Sequence, residues 1–412
     1  MHAGADRTGG VPRRWDAPVP PTTSLAVLGS TGSIGRQTLA VAREEGFAIV
    51  ALAAGRRVEV LAEQIRCHRP SVVSVADDDV KAALLHVLTA EGIPAPRILT
   101  GREGVVACAT VGEADTVVGA IPGFAGVEPV LAAASAGKKI ALANKESLVV
   151  AGAAVKRRAR DAGAWILPVD SEHSAIWQCL LGADPDSVER IVLTCSGGPF
   201  FGYDRDALAE VTVADALAHP TWSMGQKITV DSATLVNKGF EVIEGCHLFD
   251  VDAEAIDVVI HRESIVHSMV EFKDGAVLAQ LGMPDMTIPI RFALTFPRRS
   301  DCGIAPRIDF SKAMTWSFYP VDHRTFPSID MARRAWRWGG CMPLVYNAAN
   351  DVAVARFLAG DGGLPDIFDA IDRALHRFVH ERDIEMPSFD AMLSQHDEAV
   401  RFVEHSLNEE KA

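Results

Sequence analysis

The stretch SLAVLGSTGSIGRQTLAVARE, residues 24–44, constrains the fold of this 412-residue chain more than any other. An apolar run suited to a buried strand meets three glycines, Gly29, Gly32 and Gly35, and passes into a helical pattern. Strand, bare turn and helix in that order make a phosphate cradle. The glycines let an anion approach the backbone, and the helix N-terminus offers unpaired N–H groups. The spacing is GxxGxxG where the usual fingerprint is GxGxxG, so a purely structural turn competes with a dinucleotide site at this point.

The second apolar run, AIVALAAG, strengthens the dinucleotide reading. Sites for NAD place an acidic residue about 20 positions beyond the turn, where it binds the ribose 2′-hydroxyl. Here Gly55 is followed by Arg56 and Arg57. Two guanidiniums suit a 2′-phosphate and hence NADPH. The competing interpretation is a solvated basic loop.

Further runs, SVVSVA, TVVGAI and KKIALAN, alternate with helical segments such as IGRQTLAVARE and VEVLAEQIRCH. That alternation predicts an α/β fold whose first part, residues 24–165, is a Rossmann-like parallel sheet. Residues 1–23, rich in Gly, Pro and small polar side chains, are expected to lack fixed structure. Between 166 and 305 the strands WILPV, RIVLTC, AIDVVIH and AVLAQLG carry polar residues at their ends, as a central α+β catalytic domain would. The Pro-rich, charged TFPRRSDCGIAPRIDF leads into 306–412, read as a linker and a C-terminal helical domain predicted by SIDMARRAWRWGG, MPLVYNAANDVAVARFLAG and DIFDAIDRALHRFVH.

Composition narrows the function classes. A formal charge of −14 argues against a general nucleic-acid binder, and no apolar run reaches the ~20 residues that cross a bilayer. The seven cysteines contain no CxxC pair and read as free thiols of a reducing cytoplasm.

Several segments carry chemistry. In PVDSEHSAIW, Asp170 and Glu172 lie two apart and would point the same way in an extended segment, as ligands for a hard cation such as Mg²⁺ or Mn²⁺. A helix start explains them equally well. In TLVNKGFEVIEGCHLF, Asn237, Glu241 and Glu244 share one helical face with Lys238 beside it, while Leu235, Val242, Ile243 and Cys246 face a core. Such a polar stripe is commonly solvated surface. HPTWSMGQKITVDSAT sets His219, Trp222 and Met224 around Gly225, ahead of Ser232, in the manner of an aromatic loop that closes over a ligand. LTCSGGPF places Ser196 on a Gly-Gly turn where an oxyanion could sit, although a plain tight turn also accounts for it. Cys195 offers a nucleophile, as in semialdehyde dehydrogenases, but no neighbouring motif supplies a base to activate it.

LGSTGSIG, LANKESLV, PVDSEHSAIWQ, LTCSGGPF, HPTWSMGQKITVDSATLVNKGFEVIE, QLGMPDM and YNAAND together resemble the 1-deoxy-D-xylulose 5-phosphate reductoisomerase family. They occur in that family's order and cover nearly the whole chain after residue 23. The resemblance implies conversion of the ketose phosphate to 2-C-methyl-D-erythritol 4-phosphate with NADPH and a divalent metal, in isoprenoid precursor synthesis. It implies NADPH contacts from Thr31, Gly32, Ser33, Ile34, Gly55, Arg56, Arg57, Asn144, Glu146 and Gly225, and metal binding by Asp170, Glu172 and Glu241. Substrate contacts would come from Lys145, Ser171, Glu172, Ser196, His219, Ser232, Asn237, Lys238 and Glu241, with Lys145, Glu172 and His219 at the reacting centre. A homodimer in the cytoplasm is implied as well.

The chain departs from the family pattern in four places. Arg56-Arg57 replaces a common Lys-Asn, and Cys195 and Met283 stand where glycine and an acid are common. HRES, residues 261–264, replaces the more usual His-Pro-Gln-Ser. The implied chemistry joins a cation that polarises a carbonyl, a retro-aldol/aldol rearrangement of the skeleton, and hydride delivery from NADPH. Lys145, Glu172 and metal-bound water are each candidates for proton transfer. A thiol-dependent dehydrogenase and a non-catalytic NADPH sensor are the rival functions.

Overall fold

A computed structural model describes residues 19–222, 224–301, 305–382, 386 and 388–409. Seven short apolar runs form the first sheet: β1 (Ser24–Leu28), β2 (Ala48–Ala53), β3 (Val72–Val75), β4 (Arg97–Thr100), β5 (Thr116–Gly119), β6 (Lys139–Leu142) and β7 (Trp165–Pro168). All pair in parallel in the order β4-β3-β2-β1-β5-β6-β7. Most strand positions are apolar because helices cover both faces. From β1 the chain winds outward to β4, then returns to pair β5 against the other side of β1. That reversal opens a crevice at the carboxyl ends of the strands, where ligands of such sheets bind.

A second, mixed sheet follows, built from β8 (Val188–Cys195), β9 (Ile256–Ile260), β10 (Val266–Phe272), β11 (Val277–Leu281) and β12 (Tyr319–Pro320). Its order is β11-β10-β8-β9-β12, with β8 and β9 parallel and the other pairs antiparallel. The helix Val236–Phe249 packs on the helices Glu146–Ala162 and Ser328–Trp338, so it lies between the first sheet's helical layer and the carboxyl-terminal helices. Those end in Met342–Leu358, Pro365–Phe378 and Phe389–Glu409, which pack on one another. Among the described residues no helix is long and apolar enough to cross a membrane.

The structure corrects two expectations. WILPV belongs to the first sheet: Trp165–Pro168 pairs with β6, so the expected boundary at 165/166 cuts a strand, and the transition falls at Asp170. The expected unstructured stretch 1–23 lies outside the described residues up to 18. Beyond them Val19 is buried, and Lys139 Nζ donates to the Pro20 carbonyl (2.7 Å) and the Thr22 hydroxyl (2.8 Å), so 19–23 is held on the sheet by one buried ammonium. Ahead of the carboxyl-terminal helices, Tyr319–Pro320 closes the edge of the second sheet against β9.

Candidate active site

The glycine turn after β1 is shaped by close backbone approach. Gly29 has φ +84°, and a Cβ there would lie 2.5 Å from the Ala120 carbonyl oxygen; a Cβ on Gly35 would lie 2.3 Å from the Gly29 carbonyl oxygen. Only glycine fits both contacts, which press the helix Ser33–Glu45 against the turn. Gly32 caps that helix with no side-chain bond, leaving the first-turn N–H groups available to an anion. Arg57 donates to the Thr31 carbonyl at 3.2 Å, tying the β2 end to the turn. Arg56, 72% exposed at its side chain, pairs with Asp77 at 2.6 Å. Thr31, Gly32, Ser33, Ile34, Gly55, Arg56 and Arg57 are thus brought together at the carboxyl edge of β1 and β2.

At the end of β6, Asn144 donates to the Gly123 carbonyl (3.2 Å) and to Glu146 (2.8 Å), and Glu146 accepts the Gly123 N–H (3.1 Å). These two side chains lock the loop after β5 onto the loop after β6, next to the crevice. Burial pushes the Glu146 carboxyl above the ordinary range. Gly225 stands apart, as the exposed N-cap of the helix Gln226–Ala233 beyond the His219 loop.

The carboxylates converge. Asp170 occupies the N-cap position and Glu172 the first turn of the helix Ser171–Leu180, so of the two readings left open the segment is a helix start. The two side chains nevertheless meet Glu241: ligand atoms of Asp170, Glu172 and Glu241 all lie within 4.8 Å of one another. The stripe on Val236–Phe249 is not solvated surface, since Lys238 is 2% and Glu241 and Glu244 1% exposed. Lys145 forms an ion pair with Asp170 (2.7 Å) and donates to Glu241 (2.9 Å) and Asn237 (2.8 Å). Lys238 donates to Glu172 (2.8 Å), to the Thr194 carbonyl (2.7 Å) and to Glu241. Asn237 donates to Glu241 at 2.6 Å, and the Ser171 hydroxyl to Glu172.

Burial alone would push the lysines down, but the carboxylates outweigh it and hold Lys145 and Lys238 above their ordinary value. For Asp170 and Glu172, burial is overcome chiefly by Lys145 and Lys238 respectively, and both stay ionised. Burial and the Glu172 charge raise Glu241 despite the two lysines. Three carboxylates against two ammoniums form an oxygen-rich nest with one negative charge in excess, the donor set a hard divalent cation takes.

Beside it lies a hydroxyl cluster. His219 accepts the Thr221 (3.2 Å) and Trp222 (2.9 Å) backbone N–H groups at Nδ1, so the ring proton sits on Nε2. That N–H faces Ser196 Oγ at 3.0 Å and Ser232 Oγ at 3.2 Å. Burial, aided by Arg262, pushes the His219 pKa down to about 4 and keeps the ring neutral. Gly197 and Gly198, with φ +75° and +63°, fold the turn that presents Ser196, whose hydroxyl accepts the Gly198 N–H at 3.2 Å. Of the expected loop His219–Gly225, Ser223 lies outside the described residues.

Three features went unread in the sequence. His173, three residues after Asp170 and fully buried, donates from Nε2 to the Glu241 carbonyl (2.9 Å) and turns Nδ1 toward Glu244 (3.3 Å) and Asp170 (3.5 Å). Its i, i+3 spacing from Asp170 was the available signal. Lys227 pairs with Asp231 (2.8 Å) and Asp351 (3.1 Å), joining the helix after the His219 loop to the carboxyl-terminal helices. Arg262 reaches the Ser196 turn. Cys195 lies at the end of β8, where burial pushes its thiol up to about 11, which removes it as a ready nucleophile.

Comparison with known proteins matches three family models. They are 1-deoxy-D-xylulose 5-phosphate reductoisomerase over residues 25–152, its C-terminal domain over 166–249, and the DXP reductoisomerase C-terminal domain over 281–402. Among relatives called 1-deoxy-D-xylulose 5-phosphate reductoisomerase, that of Exiguobacterium sibiricum is 49% identical over 92% of this chain and 97% of its own. That of Nitratidesulfovibrio vulgaris strain Hildenborough is 51% identical over 90% and 91%. A crystal structure of DOX-P reductoisomerase in complex with NADPH, fosmidomycin and magnesium superposes with a TM-score of 0.90 at 39% identity, over 94% of this chain and 99% of that one. The Zymomonas mobilis enzyme in complex with NADPH gives 0.86 at 37% identity over 94% and 99%.

Proposed function

The chain belongs to the 1-deoxy-D-xylulose 5-phosphate reductoisomerase family, and from that premise we propose that the seam between its two sheets is where it isomerises and reduces its substrate. It is an NADPH- and divalent-metal-dependent oxidoreductase that turns 1-deoxy-D-xylulose 5-phosphate into 2-C-methyl-D-erythritol 4-phosphate for isoprenoid precursor synthesis. What carries the reading of the site is the convergence of Asp170, Glu172 and Glu241 beside the Ser196–His219–Ser232 cluster.

Thr31, Gly32, Ser33, Ile34, Gly55, Arg56 and Arg57 hold the NADPH pyrophosphate and 2′-phosphate. Asn144 and Glu146 shape the loop nearest the reacting end, and Gly225 approaches it from the His219 loop. Asp170, Glu172 and Glu241 hold Mg²⁺ or Mn²⁺; the nest fits such an ion by its oxygen donors and excess negative charge. When bound, the metal supplies Lewis acidity and a template for the sugar oxygens, and NADPH supplies hydride. Ser196, Ser232 and His219 Nε2–H bind the phosphate, with Ser171, Asn237 and Lys238 orienting the chain of the sugar. Lys145 keeps its proton firmly and serves as a fixed positive donor. Glu172 stays ionised against Lys238 and is the better placed to accept a proton. Binding energy at the phosphate thereby orients the reacting carbons.

The reading extends to a homodimer in the cytoplasm, the former supported by the edge strand β11, where Val277 and Leu278 are each 50% exposed. The deciding experiment follows NADPH oxidation with the ketose phosphate, with and without Mg²⁺. Metal-dependent turnover is expected. Turnover that ignores the metal and disappears on thiol alkylation would favour a Cys195 dehydrogenase, and NADPH binding without turnover would favour a sensor.

A further inference from the structure

The turn between β9 and β10 reads His261-Arg262-Glu263-Ser264. Its backbone is held from several directions. The His261 N–H donates to the Cys195 carbonyl at 2.7 Å, so the turn begins in register with the end of β8. The fully buried His261 ring accepts the Ile265 and Val266 N–H groups at Nε2, both at 3.1 Å, and donates from Nδ1 to the Ser317 carbonyl at 3.0 Å. Ser264 adopts φ +52°. A turn pinned this way aims the side chain between His261 and Glu263 in one direction.

That direction is the Ser196 turn. One Arg262 guanidinium nitrogen donates to the Ser196 carbonyl at 2.8 Å and to the Gly198 carbonyl at 2.6 Å, and the guanidinium lies over the Phe201 ring at 5.3 Å. The two carbonyls it grips flank Gly197, so it spans the pair of left-handed glycines that present the Ser196 hydroxyl. Successive left-handed residues are entropically costly for a flexible chain, and a single charged donor that binds both ends of the turn offsets that cost. Arg262 is also near enough to His219 to help depress its pKa.

We propose that Arg262 is a substrate-positioning residue of this chain: it clamps the Ser196–Gly198 turn from its carbonyl side and sets a permanent positive charge behind the phosphate subsite. A proline at this position supplies neither. The inference rests on the reading of Ser196, His219 and Ser232 as the phosphate subsite. A dianionic phosphate gains from a fixed charge, whereas NADPH, seated at the first sheet, does not feel it.

The test compares wild type, R262Q, R262P and R262K in steady-state kinetics, with folding checked by thermal midpoint. In R262Q and R262P the KM for the ketose phosphate should rise about tenfold, the factor equivalent to ~1.4 kcal/mol of binding. It should rise by more than kcat falls, while the KM for NADPH stays put. Competitive inhibition by inorganic phosphate should weaken in parallel, and R262K, which keeps the charge but not the planar group lying over Phe201, should fall between. A well-folded R262Q with wild-type KM and phosphate inhibition would overturn the proposal. So would equal rises in both KM values, or an R262K no better than R262Q. If R262Q and R262P fail to fold, R262K carries the same comparison. Failure of the underlying reading is seen separately, in a wild type that does not turn over the ketose phosphate at all.

Discussion

Glu241→Gln is the most informative single change, because it tests the metal nest against a role as a plain buried ion pair. Glu241 is 1% exposed and accepts from Asn237 at 2.6 Å, from Lys145 at 2.9 Å and from Lys238. Glutamine keeps the shape and one acceptor oxygen, but turns an NH₂ toward one of the ammoniums. The loss of one charge-assisted hydrogen bond costs about 1.5–3 kcal/mol, which a chain of this size survives folded. Asp170 and Glu172 remain to balance Lys145 and Lys238, so no buried ammonium is stranded. The excess negative charge, however, is gone, and with it the attraction for a divalent cation.

Metal linkage gives the readout. A ligand present at a hundred times its Kd stabilises the folded state by about 2.7 kcal/mol, which shows as a rise of a few degrees in the thermal midpoint. Wild type should show that rise with Mg²⁺; Glu241→Gln should show almost none and should not turn over substrate. Asp170→Asn and Glu172→Gln should fail likewise, and double changes should cost little more than single ones, since a nest missing one oxygen is already broken. NADPH titration by fluorescence is the control and should be unchanged. A Glu241→Gln protein with the full Mg²⁺ shift and normal turnover at limiting metal would refute the assignment.

Changing both Arg56 and Arg57 to Ala should narrow the preference for NADPH over NADH by about ten- to a hundredfold, the equivalent of ~1.5–3 kcal/mol; an unchanged ratio of affinities would remove them from the 2′-phosphate. Limited proteolysis near Trp222 should slow with NADPH, Mg²⁺ and a phosphonate substrate analogue, and should quicken in Asp351→Asn, which loses a 3.1 Å tie from Lys227 to the helix after the loop. Equal cutting in all samples would make His219–Gly225 ordinary surface. For His219 the folded pKa lies below the ordinary 6.5, at about 4, so the unfolded chain binds the extra proton first. Its contribution to stability is therefore complete above pH 6.5 and lost as pH falls toward 4; an NMR titration of the ring with a midpoint near 6.5 would contradict the buried, neutral imidazole.

The sequence carried the first sheet well, because apolar runs bounded by glycine turns have few other ways to be buried. It also carried the residues of the nest, but not their geometry. Asp170 and Glu172 fitted an extended segment and a helix start equally because a polar step at the end of a strand resembles both, and the helix Ser171–Leu180 packs its apolar side on β10 and β11. Lys238, Glu241 and Glu244 fit a solvated stripe equally well, since a polar pattern on one helix does not reveal whether water or counter-charge satisfies it. The counter-charges come from residues 66 and 96 positions away, Glu172 and Lys145. The helix Phe389–Glu409 escaped notice because its buried stripe, Met392, Gln395, Ala399, Val403 and Leu407, includes a glutamine and an alanine. Edge strand β4 is four residues long with Arg97 exposed, too little signal to register as a strand.

The same ion pairs that occupy the nest also join the molecule. Lys145 follows β6 and binds Asp170 at the end of β7 and Glu241 on the central helix, while Lys238 leaves that helix for Glu172 and the Thr194 carbonyl of β8. A buried carboxylate left without a partner costs several kcal/mol, so neither sheet can shift against the helix without stranding charge. Chemistry placed at this seam inherits its rigidity: the oxygens proposed to hold a cation keep their spacing by obligations independent of the ligand. The Ser196 turn lacks such a lattice, being two glycines at the end of β8. Arg262 supplies there, with one guanidinium, the cross-strand constraint that two lysines supply at the carboxylates.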